Sequence, residues 1–380
     1  MQDHFANGVP IGAPKVSNII RNINYARQQD RPAEPTAADL GFTVDEAYSK
    51  DVFLVKDIYV PDSNGVCVAR HLVFATSKQL QLLAKAKTWY MDATFKIVAT
   101  PFHQLFSISA FIKGPQGNTN QVPLVFALMS RRRKEDYKKV LKAIKQNLPS
   151  PAKVKKCVMD FEKAIWNAAL SVLGDIERMG CNFHFNQAIF RRIIYLGLQR
   201  LYWSREPEHA EAHRFMRKLM SLPFLPSNDI PAAFHALHMQ NTRDDIQPLL
   251  AYIEDNWING NVFPPENWSV YNQLVRTNND KEGYHRSLNT KGRANMSLYV
   301  LWGLLRSEAD NTQLLCELVR DAKMIRNVRL RTRQIQGKLQ SLWDRYADDE
   351  MTPDGFLDAC SLLNGVSRDF SDFDPNDVAE

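Results

Sequence analysis

Between Thr88 and Phe185 the hydrophobic period of the chain changes, and the order of that change restricts the fold more than any other feature. Three runs, 88–98, 104–112 and 121–129, read as strands, with Gly114-Pro115-Gln116-Gly117-Asn118 as the turn after the second. The period then lengthens. Tyr137, Val140, Leu141 and Ile144 share one helical face, and Lys138, Lys139, Lys142 and Lys145 lie elsewhere. A strand over 154–160 follows, then a helix marked by Ile165, Ala168, Ala169 and Val172, then a short strand over 180–185. Three hairpin-linked strands followed by strands alternating with helices predict a mixed sheet covered by helices.

The flanks are simpler. Residues 1–14 read as disordered, 15–29 as a basic helix with Val16, Ile19, Ile20 and Ile23 on one face, and 31–35 as a linker. Runs 52–60 and 66–74 read as strands around the turn Pro61-Asp62-Ser63-Asn64-Gly65, and 77–86 as a helix with Ser77 as its N-cap. From Asn186 to Val275 the pattern is helical, broken by Pro223, Pro226, Pro231, Pro248 and Pro264-Pro265. Further helices are expected from Asn279, over 298–305 and over 314–342.

The expected organisation has five parts. An N-terminal helix and linker (1–45) precede the first part of an α/β core (46–185). A helical insertion (186–275), the C-terminal helices of the core (276–343) and an acidic, mostly disordered tail (344–380) follow. This is the order of a ribonuclease-H-like mixed sheet, with a large all-helical insertion between strand five and the last catalytic helix. In that fold one acid lies on the first strand and a second at the end of the fourth.

Asp92 and Asp160 occupy those two places. Asp92 interrupts a strand run, where Asp is disfavoured. Asp160 ends the 154–160 run and opens a helical pattern, so it also reads as a helix N-cap. Glu282 is the third candidate, and it also reads as the last member of a capping box begun by Asn279. Buried carboxylates are costly unless paired, protonated or bound to metal. Three brought together suit a two-metal site for phosphoryl chemistry on nucleic acid, with Mg²⁺ or Mn²⁺ as the ions. Asp92 would bridge both ions, and Asp160 and Glu282 would each complete one shell.

Charge is consistent with a polyanionic partner. From Asp344 to Glu380 there are 11 acidic and 2 basic residues, a net of −9. The first 343 residues therefore carry 46 basic and 31 acidic residues, a net of +15. Arg326 and Arg329, within a basic helical run, are candidate phosphate contacts, as are Arg276, His285 and Arg293; a solvated helix face is the competing reading for the run. Trp268, like Trp203 and Trp257, either stacks on a flipped base or fills a helical core. Ser130-Arg131-Arg132-Arg133-Lys134 is a nuclear import patch or ordinary surface.

Cys181 and His184 form a Cys-x-x-His at a strand end. His209 and His213 lie four apart, which offers on paper a second half of a zinc site, but a packed thiol and imidazole are expected instead of zinc. Five scattered cysteines fit free thiols in a reducing compartment better than a disulfide framework. No run of about 18 apolar residues predicts a membrane span, and Met1-Gln2-Asp3-His4-Phe5 lacks a secretory pattern.

Four blocks in order resemble the Mutator-like element (MULE) transposases. They are Met91-Asp92-Ala93-Thr94-Phe95-Lys96, Met159-Asp160-Phe161-Glu162-Lys163-Ala164, Gly180-Cys181-Asn182-Phe183-His184-Phe185-Asn186-Gln187-Ala188, and Arg276-Thr277-Asn278-Asn279-Asp280-Lys281-Glu282-Gly283-Tyr284-His285. Leu222-Pro223-Phe224-Leu225-Pro226 is similar to the animal branch of that family, which is often associated with FLYWCH zinc fingers. The similarity runs from about Val16 to about Leu342.

The resemblance implies a DDE-type DNA transposase with Asp92, Asp160 and Glu282 as metal-binding catalytic acids. It implies Cys181 and His184 as the accompanying signature. It further implies DNA cleavage at terminal inverted repeats, strand transfer to target DNA, a homo-oligomer, double-stranded DNA as partner, and a nuclear location. Nothing before Asp92 has the Cys/His spacing of a FLYWCH finger, which implies a fragment or a copy that has lost end-specific recognition. Two other classes are a domesticated DNA-binding or regulatory protein without cutting activity, and a ribonuclease-H-like nuclease without strand transfer.

Overall fold

The computed structural model describes residues 16–29, 31–36, 39–49, 53–115, 119–204, 206–273, 288, 292–321 and 330–364. The helices α1 (Val16–Gln29) and α2 (Glu46–Ser49) precede the strands β1 (Leu54–Pro61) and β2 (Cys67–Phe74). Next come α3 (Ser77–Lys85), β3 (Thr88–Thr94), β4 (Gln104–Lys113), β5 (Thr119–Met129), α4 (Lys134–Asn147), β6 (Lys156–Met159), α5 (Lys163–Leu173) and β7 (Glu177–Gly180). The helices α6 (Asn182–Tyr195), α7 (Gln199–Trp203), α8 (Ala210–Ser221), α9 (Ile230–Gln240) and α10 (Gln247–Ile253) follow. α11 (Leu298–Arg320), α12 (Leu330–Ala347) and α13 (Pro353–Leu363) complete the described chain.

All seven strands form one sheet in the order β1-β2-β5-β4-β3-β6-β7. β3, β4 and β5 pair antiparallel, whereas β6 runs parallel to β3 and β7 parallel to β6. The five strands from β3 onward thus reproduce the expected ribonuclease-H-like mixed sheet. The earlier hairpin extends it, because β2 pairs with β5.

Alternating side chains cover both faces of this sheet. Val73, Val125, Ala127 and Met129 face a core shared with α4, α5 and the helical region. Leu72, Phe74, Phe126 and Leu128 face a second core, filled from α11 by Leu301, Trp302 and Leu305. Buried side chains of the helical insertion are continuous with the first core.

Several boundaries differ from the sequence reading. Thr76, not Ser77, caps α3, accepting the Gln79 N–H at 3.2 Å while Gln79 Oε1 accepts the Thr76 N–H at 2.8 Å. The fifth core strand is 177–180, not 180–185, because α6 begins at Asn182. The apolar Phe183 and Phe185 mimic a strand, but Phe185, Ile189 and Ile193 recur at helical spacing on the buried side. The expected insertion boundary at 186 therefore falls inside α6. The helix expected over 298–305 continues to Arg320.

The tail expected to be disordered from Asp344 is ordered through Asn364. In α13, Phe356, Leu357 and Cys360 are fully buried. Lys218 on α8 pairs with Asp354 at 3.0 Å and Asp358 at 3.6 Å. Asn364 donates to the Met220 carbonyl at 2.7 Å and accepts from Asn186 at 3.1 Å, while its carbonyl accepts from Arg217. Acidic composition there reflects a solvated outer face on an apolar inner one. Glu282, with Arg276, His285, Arg326 and Arg329, lies outside the described residues.

Candidate active site at the ends of two parallel strands

The site is built by strand register. In the parallel pair, Tyr90 is opposite Val158, so Asp92 and Asp160 stand at corresponding levels on neighbouring strands. Asp92 is held within β3, 8% exposed, and its Oδ1 accepts the Ala93 N–H at 2.9 Å. Asp160 directly follows β6, and its side chain is 52% exposed. Its Oδ1 accepts the Phe161 N–H at 2.6 Å, and its carbonyl accepts Trp166 Nε1 at 2.6 Å. The residue at the N-cap of α5 is Glu162, so Asp160 is not the helix cap that its sequence position also allowed.

β7 and α6 supply the third group. The Cys181 N–H donates to the Met159 carbonyl at 3.0 Å, which sets the start of α6 beside the end of β6. One turn later His184 lies between the two acids. Its Nε2 is 3.9 Å from Asp92 Oδ1 and its Nδ1 is 3.8 Å from Asp160 Oδ1. Burial opposes protonation of this imidazole. The Asp160 carboxylate, the Cys181 thiol and the Asp92 carboxylate outweigh it and hold the pKa well above the ordinary histidine value. A protonated His184 offsets the repulsion between the two carboxylates.

A second carboxylate adjoins Asp160. Tyr137 donates to Glu162 Oε2 at 3.0 Å and accepts from Gln104 Nε2 at 2.9 Å. Burial raises the Glu162 pKa, with Asp160 adding to the effect; Tyr137 and the positive charge of Arg132 act the other way. Arg132 also lies 5.7 Å from the Phe95 ring centroid. It thus faces this edge of the sheet, whereas Arg131 pairs with buried Asp136 at 2.9 Å. The sequence reading treated both as one basic patch. Which of three consecutive arginines turns toward the acids depends on how β5 enters α4.

The remaining candidates divide. Trp268 is fully buried, stacks on Phe185 with centroids 4.9 Å apart, and donates to the Phe263 carbonyl at 3.1 Å. It fills the core and does not reach DNA. Trp257 is also buried, packing against Phe161 and Phe185. Arg293 is exposed, two residues before Asn295, whose N–H donates to the Lys96 carbonyl at 2.9 Å just beyond β3. His213 Nδ1 lies 2.6 Å from the Tyr202 carbonyl, and His209 sits with Glu206 and Glu208. Among the described residues, Cys181, His184, His209 and His213 do not converge on one point.

The donors at the strand ends are hard carboxylate oxygens, the chemistry that Mg²⁺ and Mn²⁺ select. One is fixed in the sheet and the other opens to solvent, so the pair fits such ions at a surface that DNA can approach. Among the described residues no helix is long and apolar enough to cross a membrane.

A comparison with curated proteins finds no match. The family model of the MULE transposase domain matches residues 88–188, a span that contains β3 through the first half of α6 and includes Asp92, Asp160, Cys181 and His184. The chain carries a MULE transposase domain.

Proposed function

We propose that this chain is a DDE-type DNA transposase that cleaves DNA at terminal inverted repeats and transfers the freed 3′-hydroxyls to target DNA. The observation that carries this reading is the meeting of Asp92 and Asp160 at His184, at the ends of neighbouring parallel strands. Asp92 and Asp160 would hold Mg²⁺ or Mn²⁺, with Glu282 as the third acid. Two bound divalent ions activate an attacking oxygen and stabilise a leaving one in an in-line displacement at phosphorus.

The chain's own residues do the rest. The Ala93 and Phe161 N–H groups fix one oxygen of each aspartate. Burial of Asp92 limits its movement, while the exposure of Asp160 leaves that side open to the phosphodiester. His184 stands within 4 Å of an oxygen of each acid, close enough for its charge to act on both. Arg132 supplies positive charge beside Glu162, the neighbour of Asp160, where an anionic backbone would lie. DNA, a second copy of the chain for synapsis of two ends, and a nuclear location complete the proposal.

The test uses purified protein, Mg²⁺ or Mn²⁺, a target plasmid and pre-cleaved DNA carrying the terminal inverted repeats that flank the coding sequence. Joined products support the transposase. Cutting without joining would indicate a nuclease, and binding without either product a non-cutting DNA-binding protein.

A further inference from the structure

α6 does more than deliver His184. Phe185, Asn186, Ile189, Phe190 and Ile193 are buried, whereas Phe183, His184, Gln187, Ala188, Arg191 and Arg192 are partly exposed and Tyr195 is 77% exposed. The second set recurs at three- and four-residue steps, so it forms a single stripe along the helix. At about 100° and 1.5 Å per residue, Arg191 and Tyr195 both lie within about 20° of His184 around the axis. They stand about 10 Å and 16 Å farther along it. The stripe therefore starts at the imidazole between the two acids and leads away from them on the same side.

Its outer end is basic and aromatic. The Arg192 guanidinium carbon lies 4.8 Å from the Tyr195 ring centroid and 5.1 Å from that of Tyr252 on α10. Among the described residues Arg192 makes no ion pair with a carboxylate, and its buried Nε has no hydrogen-bond partner. The two rings hold the guanidinium plane in place, so little side-chain freedom is lost when it meets an anion. Arg191 sits beside it, and the charges of both arginines act on the Tyr252 hydroxyl.

We infer that the exposed stripe of α6 is a track for the DNA strand leaving the active site, with Arg191 and Arg192 on backbone phosphate and Tyr195 against the adjoining sugar or base. This deepens the proposed transposase reading and rests on it. Phosphates on one strand of a duplex are spaced by about 3.4 Å along the axis, so Arg191 would meet the backbone about three phosphates from the one held at the acids. An arginine pair there also balances the negative charge of the acids, which otherwise repel the substrate.

The test is a fluorescence-anisotropy titration of a labelled 30-bp duplex of arbitrary sequence, in EDTA, over a series of KCl concentrations. Omitting divalent ions separates binding from chemistry. Arg191→Gln/Arg192→Gln, with folding checked by circular dichroism, should lower the slope of log affinity against log salt by about one to two. Arg192→Lys should keep the slope, and Arg214→Gln, on the exposed side of α8, should leave affinity and slope as in wild type.

Tyr195→Glu alters a side chain that is 77% exposed and so does not threaten the fold. It should weaken binding at least about fivefold. Wild-type affinity and slope in the folded double variant, wild-type affinity in Tyr195→Glu, or an equal loss in Arg214→Gln would each overturn the track. A wild type that cuts DNA while the variants bind normally rejects the track alone. A wild type that never cuts, yet shows the arginine-dependent slope, rejects the catalytic reading alone.

Discussion

Gly180→Ala should damage the proposed active site from behind. Gly180 is buried at the end of β7, opposite Met159. A Cβ built on it would lie 2.0 Å from Phe161 Cζ and 2.2 Å from Cε1. Comfortable carbon–carbon contact is about 3.5–4.0 Å, so the ring must retreat by about 1.5 Å or more. It has little room, because Trp257 and Phe263 pack edge-on against it at 4.7 Å and 5.3 Å. Overpacking of this kind costs about 1–3 kcal/mol.

The same displacement reaches the chemistry, because the Phe161 N–H orients Asp160 Oδ1 at 2.6 Å. A shift of about 1 Å at a reacting group is worth about a hundredfold in rate. Nicking of supercoiled plasmid in Mn²⁺, paired with a thermal melt, reads both effects. Phe161→Leu shortens the ring and should recover part of the loss, giving a coupling energy of about 0.5–3 kcal/mol in a double-mutant cycle. Additive losses in the cycle, or wild-type stability and nicking in Gly180→Ala, would refute the argument.

Asp92→Asn should abolish metal-dependent cleavage while a melt shows the fold retained; wild-type cleavage would remove Asp92 from the site. Glu282→Gln should change stability by about 1 kcal/mol or less, since either side chain can complete a capping box, yet eliminate cleavage. Normal cutting by this variant would leave Glu282 as a cap only. Asp136 is fully buried, and although burial opposes its ionisation, hydrogen bonds from His71, Arg131 and the Arg133 N–H hold its carboxyl well below the usual range. The stability it contributes is complete above the unfolded carboxyl pKa of about 3.9 and lost as pH falls below it. Asp136→Asn should therefore cost about 3 kcal/mol at pH 7, and denaturant titrations should show the gap to wild type narrowing below about pH 4. Removing residues 344–380 should destabilise the protein by several kcal/mol, because Phe356 and Leu357 alone bury about 1.5–3 kcal/mol each. Removing only 365–380, which hold five acids and one base, should spare the melting temperature and strengthen DNA binding in an anisotropy titration.

The sequence by itself determined the mixed-sheet class and the succession of strands and helices from β3 to β7, and it singled out two candidate acids at the ends of neighbouring strands. Strand and helix periods are local properties, and right-handed crossovers leave few ways to connect β3 through β7. An aspartate inside a strand run is also a local anomaly, so Asp92 was visible without coordinates. Glu282 was singled out on the same kind of local pattern. What the sequence misread was nonlocal. For Trp268 the sequence left base stacking and core filling both open, and only packing shows that it is buried and donates its indole N–H to the Phe263 carbonyl. The acidic residues of α13 suggested disorder because composition does not record that Phe356, Leu357 and Cys360 close against α8 and α12. The start of α6 at Asn182 converted a strand-like run into a helix turn, and that alone places His184 between Asp92 and Asp160. Register across β3 and β6 fixes which atoms meet, and register depends on contacts between segments more than sixty residues apart, which no local pattern encodes.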